Sequence, residues 1–186
     1  VLKRQLFELV YESSGIITLE ATYLNIPQLQ IAHMKPRVPI IQGGMGVRVS
    51  MSGLAAAVAN AGGIGIISGT GISIEVLRYH IRKARELTNG LGYIGVNILF
   101  AMNGFAEAIK AAMEEKVDFI SSGAGFSRDM YGWGREYGVP IISIVSSAKL
   151  AKLAEKLGAC AVVVLPVQGI IDTIMNEYKL SISPLP

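Results

Sequence analysis

The chain has a single cysteine, Cys160, so no internal disulfide is available to it. A lone thiol at the start of an apolar run fits a reducing compartment, and a cytoplasmic location is expected. Histidine is nearly as scarce. His33 precedes the first strand-like run and His80 falls within a helical stretch, so neither is expected to be catalytic. No apolar run exceeds the seven residues of 159–165. A membrane-crossing helix needs roughly 20, so no membrane partner is expected. Lys3 and Arg4 are not followed by the long apolar segment of a signal peptide. Charge of one sign is also lacking, with 17 basic and 14 acidic residues. The densest basic cluster is Arg78, Arg82, Lys83 and Arg85, interleaved with Glu75 and Glu86 and having only Tyr79 nearby as an aromatic. It reads as a solvated helix face, and no nucleic-acid partner is expected. No metal site is expected either.

What remains is apolar and glycine-rich. Hydrophobic residues make up 51% of the 186, with 21 glycines, and the mean hydropathy is +0.46. That is enough for one domain with a core. Short runs rich in Ile and Val recur at 38–42, 64–68, 93–99, 117–121, 139–144 and 160–165, as buried parallel strands would. Helical periodicity fills the gaps. The stretch from Ser52 carries Ser50 or Ser52 as N-cap. Ile74, Leu77, Ile81 and Ala84 share a face of a helix over 74–87, and helices are expected over 103–115 and 130–137. Leu150, Leu153, Ala154 and Leu157 share a face over 148–157. Strand starts fall 21 to 29 residues apart. Such β-α alternation gives an α/β fold, either a doubly wound sheet or a closed barrel. A closed barrel has eight strands; six are expected here.

Both ends break the pattern. Residues 1–23 show no βα logic, although Leu2, Leu6, Leu9 and Val10 fit one helix face. This stretch is expected to be an extension, with untranslated leader as its proposed origin. Residues 24–164 are expected to form the barrel portion, and 165–186 an atypical, proline-containing tail with a short helix over 170–178.

In either architecture ligands sit at the carboxyl ends of the strands. The first run ends Gln42-Gly43-Gly44-Met45-Gly46, where glycine lets a flat ligand approach the main chain. The dinucleotide fingerprint needs a third glycine, but the chain continues Val47-Arg48-Val49, and no acid follows Ser68-Gly69-Thr70-Gly71. The P-loop pattern is absent too. Asn97 stands alone in an apolar strand, near its carboxyl end, and needs a partner there. Ser121-Ser122-Gly123-Ala124-Gly125 and Val145-Ser146-Ser147 put further small and polar groups on the same rim.

These segments, with Pro39 to Gly46, Gly62 to Gly65, Gly95-Val96-Asn97, Ser122 to Gly125 and Leu157-Gly158-Ala159, resemble the nitronate monooxygenase family in order and spacing. That family is similar to the flavin-type enoyl-acyl carrier protein reductases. The resemblance covers roughly residues 26–164. It implies a TIM barrel that binds FMN at its carboxyl-terminal mouth. It further implies cofactor contacts from Gln42, Gly43, Gly44, Met45, Gly46, Ser68, Asn97, Ser122, Gly123, Ala124 and Ser146. The expected function is FMN-dependent oxidation of alkyl nitronates by oxygen. The alternatives are reduction of an enoyl thioester and a non-catalytic partial barrel, with homo-oligomer formation possible for either. In the family a Gly-Gly-His segment after the sixth strand supplies the base. Here Leu165-Pro166-Val167-Gln168-Gly169 follows instead. A frameshifted or truncated copy without a catalytic residue is therefore expected.

Overall fold

A computed structural model describes residues 3–11, 17–25, 28–125 and 127–164. The expected tail from Leu165 onward, including the helix over 170–178, lies outside them. The elements in chain order are β1 (Lys3–Tyr11), β2 (Ile17–Asn25), α1 (Gly46–Val49), α2 (Ser52–Asn60), β3 (Ile64–Ser68), α3 (Ile74–Leu87), β4 (Tyr93–Leu99), α4 (Phe105–Glu114), β5 (Phe119–Gly123), α5 (Asp129–Tyr137), β6 (Ile141–Val145), α6 (Ala148–Leu157) and β7 (Ala161–Val164).

Strands β3 to β7 form a parallel sheet in sequential order. Each crossover carries one helix, so the sheet is a (β/α) barrel wall of the TIM type that is incomplete among the described residues. Alternation along the strands divides the core. Ile67, Ile94, Val96, Ile98, Ile120 and Ile141 point to the helices and pack on Leu77, Ile81, Ala84, Ile109 and Ala151. On the other side Ile64, Ile66, Phe119 and Ile142 pack around Met34, which is fully buried. Gly95 makes room there: a Cβ on it would lie 2.2 Å from the Phe119 ring.

Several expectations are corrected. Residues 38–42 are not a full strand among the described residues. They join β3 through one parallel bridge, Ile41 to Ile64. Val38 N donates to Gly62 O and Gln42 N to Ile64 O, but between them Ile40 N bonds back to Val38 O at 2.7 Å, turning the chain locally. Residues 3–11 are a strand, not a helix face. They pair antiparallel with 17–25 from Lys3 against Asn25 to Tyr11 against Ile17. Phe7, Val10, Tyr11, Ile17, Thr18, Thr22 and Tyr23 are β-favouring residues that outweigh the helical spacing of four apolar ones. Helix α2 is capped by Met51 with no side-chain bond, not by Ser50 or Ser52. Helix α6 buries Ala148, Ala151 and Ala154, with Leu150, Leu153 and Leu157 only half-buried at its flanks. The small alanines let the helix axis sit close to the sheet. Strands β5 and β6 begin two residues later than their apolar runs, since Val117 and Val139 are buried in the preceding turns.

The basic cluster on α3 is not simply solvated. Arg78 bonds Glu114 and, at 2.8 Å, Glu115. Arg82 bonds Glu115 at 2.6 Å, and Arg85 bonds Asp118 at 2.9 Å. These pairs tie α3 to α4 and to the start of β5. The Arg82 and Arg78 guanidiniums hold the Glu115 carboxyl below its ordinary value of 4.5. A depressed carboxyl contributes stability above its unfolded value and loses it as pH falls through the folded one. Glu115→Gln is therefore expected to cost about 1 kcal/mol in urea unfolding at neutral pH. The gap to the parent chain should close as pH drops below 4.5; a gap that persists in acid would show that packing, not charge, carries the effect.

Candidate functional site

Because the strands are parallel and in register, residues aligned across them face the same way. Ser68, Asn97, Ser121, Ile142 and Ala161 form one row. The row lies one step toward the carboxyl end from Ile66, Gly95 and Phe119, on the face away from the helices. A polar layer of Ser68, Asn97 and Ser121 thus sits directly above an apolar floor. All three are buried. The next inward residues, Leu99, Gly123 and Ile144, form the lip. A Cβ on Gly123 would lie 2.9 Å from Ile144 Cβ.

The glycine loop closes over this layer. A Cβ on Gly44 would lie 2.6 Å from Asn97 Cβ and 3.2 Å from its Nδ2, so only glycine permits that approach. Gly43 faces open space, with nothing within 4 Å of an added Cβ. Met45 is half-exposed and Gly46 opens α1 with φ +37°. Asn97 Oδ1 is the one buried side-chain polar atom without a hydrogen-bond partner among the described residues. Burying an amide oxygen unpaired costs roughly 1–3 kcal/mol. Such a cost, placed beneath a glycine cradle, marks a place for an incoming donor.

Gln42 plays a different part. Its Oε1 accepts from Ile66 N at 3.2 Å and its Nε2 donates to Ile66 O at 3.2 Å. The side-chain amide thereby stands in for a main-chain peptide and extends the edge of β3. Nε2 also donates to Ser50 Oγ at 3.0 Å and to Gly43 O. Beyond the cradle, Ala124 is exposed with φ 54°, and Ser146 is exposed just after β6.

The site residues read from the sequence thus divide. Gly44, Ser68 and Asn97 come together; Gly43, Met45 and Gly46 form the loop above them; Gly123 and Ala124 lie at the lip. Ser122 is corrected: it aligns with Ile98 and Ser143 on the helix side, where Ser143 Oγ and Tyr131 Oη are 2.6 Å apart. Its neighbour Ser121 occupies the inner row instead. Counting by twos from Phe119 finds it. Ser50 was also missed as part of the loop, and no local pattern marks it.

Neither histidine reaches this rim. His33 stands at the opposite end of the strands, 3.8 Å from Asp118 and edge-on to Tyr93. His80 Nδ1 is 3.0 Å from Ser52 Oγ, between α3 and α2. Burial pushes the Cys160 thiol up, which disfavours a reactive thiolate. No group of three or more metal-ligating side chains occurs among the described residues. No helix among them is long and apolar enough to cross a membrane.

Residues 28–112 match the family model for nitronate monooxygenase. A curated relative in Rhodococcus jostii, (3aS,4S,5R,7aS)-5-hydroxy-7a-methyl-1-oxo-octahydro-1H-indene-4-carboxyl-CoA dehydrogenase, is 32% identical over 126 residues, 68% of this chain and 35% of its own length. Among solved structures, FabK from Thermotoga maritima is 35% identical, with a TM-score of 0.65 over 68% of this chain and 40% of that one. Nitroalkane oxidase from Streptomyces ansochromogenes shares the fold at 22% identity, with a TM-score of 0.65 over 71% of this chain and 47% of that one. The chain spans about a third of the length of the curated relatives it matches.

Proposed function

From its resemblance to the nitronate monooxygenase family, we propose that this chain supplies the flavin cradle of an FMN-dependent oxidoreductase that oxidises alkyl nitronates with oxygen. The observation that carries the reading is the orphaned Asn97 Oδ1 under Gly44. A flavin edge offers the N–H that this oxygen lacks, and a planar ring suits a cradle that no Cβ enters, so the residues present fit the group. FMN, when bound, supplies the acceptor for electrons drawn from the substrate.

The chain's own part is positional. Gly43 lets main-chain atoms approach the ring, and Gly44 lets the loop settle onto Asn97. Asn97 accepts from its edge. Ser68 and Ser121 flank Asn97 in the same row and keep that floor polar. The apolar floor of Ile66 and Phe119 keeps water from entering beneath. With no histidine at the rim among the described residues, removal of the substrate proton is assigned to no side chain here.

One observation favours a second reading. Relatives above 30% identity include FabK and a carboxyl-CoA dehydrogenase, the latter named for a thioester, whereas the nitroalkane oxidase is only 22% identical. A thioester substrate with a nicotinamide reductant is therefore the alternative. A small-molecule substrate is common to both.

The purified chain is expected to take up FMN with quenching of flavin fluorescence, and riboflavin more weakly. Oxygen uptake with a nitroalkane then supports the first reading; anaerobic NADH oxidation with a crotonyl thioester supports the second. A chain that folds and ignores FMN at millimolar concentration sinks both.

A further inference from the structure

The geometry points to Ser50 as the positioning residue of the flavin cradle, a latch that holds the glycine loop at its working height above Asn97. The inference rests on the flavin reading of that loop. Ser50 is fully buried and lies at the end of α1, eight residues beyond Gln42. Its Oγ accepts from Met45 N at 2.9 Å and from Gln42 Nε2 at 3.0 Å, and donates to Gly43 O at 3.2 Å. One hydroxyl therefore fills all its hydrogen-bonding capacity with three groups of the loop. The main chain of Ser50 adds two more ties: its N–H donates to Met45 O at 3.3 Å, and its carbonyl accepts from Ser68 N at 2.8 Å.

The consequence follows the bonds. Ser68 sits in the same row as Asn97, so Ser50 links the loop to the polar floor it covers. Gly44 lies between Gly43 and Met45, the two residues Oγ grips. The 2.6 Å approach of a Gly44 Cβ position to Asn97 leaves no slack for a loop that drifts inward. An outward drift would lift the main chain off the ring. The Met45 amide donates to Ser50 Oγ at 2.9 Å, so its exchange depends on that contact. That amide reports the latch directly, with or without flavin.

The test compares the parent chain with Ser50→Ala, Ser50→Cys and Ser52→Ala. Ser52, two residues on, is also buried but bonds His80 instead of the loop. Three readouts are taken: Met45 amide exchange in the flavin-free protein, FMN dissociation constant by fluorescence quenching, and melting temperature. Losing the strong hydroxyl contacts is expected to speed Met45 exchange about tenfold and weaken FMN about tenfold, with melting lowered by only roughly 2–4 °C. Ser50→Cys preserves volume, so it should behave likewise even where Ser50→Ala collapses. Ser52→Ala should move neither exchange nor affinity. Unchanged exchange and affinity in the Ser50 variants overturn the latch. So does a loss of affinity that merely tracks a fall in melting temperature. A parent chain that fails to bind FMN, while Met45 exchange still responds to Ser50, overturns the flavin reading and leaves the latch in place.

Discussion

Asn97→Leu is expected to raise the melting temperature of the flavin-free chain and to abolish FMN binding. The usual result of altering a buried strand residue is destabilisation, so the sign is diagnostic. Asn97 is 7% exposed in the middle of the sheet, and its Oδ1 has no partner among the described residues. The folded chain carries that desolvation cost, whereas the unfolded chain hydrates the amide. Leucine keeps the branching and the number of heavy atoms, and removes the polar atom. Its neighbours Ile66 and Phe119 below offer it apolar contact. A gain of about 1 kcal/mol follows, the low end of the cost of an unpaired buried group. For a domain of this size that is roughly 2–4 °C. Flavin affinity should fall below detection, because leucine offers the ring edge no acceptor. A leucine variant that melts earlier and still binds FMN would remove Asn97 from the site.

The proposed trade between stability and binding at Asn97 is also why it was legible in the sequence. A polar residue in the run Tyr-Ile-Gly-Val-Asn-Ile-Leu breaks the local apolar rule, and such breaks gather at functional positions. The β-α alternation was legible because apolar period marks each element locally: β3 and β4 and helices α3 and α6 have the expected limits. Ser73 and Ser147 each cap through a side chain. What was not legible depends on tertiary partners. Residues 38–42 read as a strand, and Val38 N and Gln42 N do donate to Gly62 O and Ile64 O, yet Ile40 N turns back to Val38 O and leaves the ladder at a single bridge. The family resemblance implies Ser122, beside the glycines, whereas the alternation along β5 turns Ser121 inward. Gln42 and Ser50 exchange hydrogen bonds across loop and strand, and their spacing of eight residues carries no periodic mark. The resemblance to the nitronate monooxygenase family suggests the loop's role but not these bonds.

The same distinction governs the largest stability effect expected. Gly65→Ala should cost about 3 kcal/mol or more, enough to lower melting by roughly ten degrees or leave the chain unfolded. A Cβ on Gly65 would lie 2.1 Å from Ala55 O, 2.6 Å from Ala55 C and 2.7 Å from Ala55 Cα. All three are main-chain atoms of α2, so no rotamer change relieves the clash. The helix would have to back away from β3, and α2 buries Ser52, Ala55, Ala56 and Ala59 against its neighbours. Gly43→Ala makes the matched control. Nothing lies within 4 Å of its added Cβ, and its backbone is not in the left-handed region. The methyl there should change stability by under about 0.5 kcal/mol, while a Cβ in the open mouth should weaken FMN. Urea unfolding and flavin titration on the two variants thus separate the glycines by role. Gly65 belongs to helix-on-strand packing, and Gly43 belongs to the cradle, although both sit in runs that look alike in the sequence. Equal stability losses for both substitutions would show that the glycine runs are packing motifs throughout.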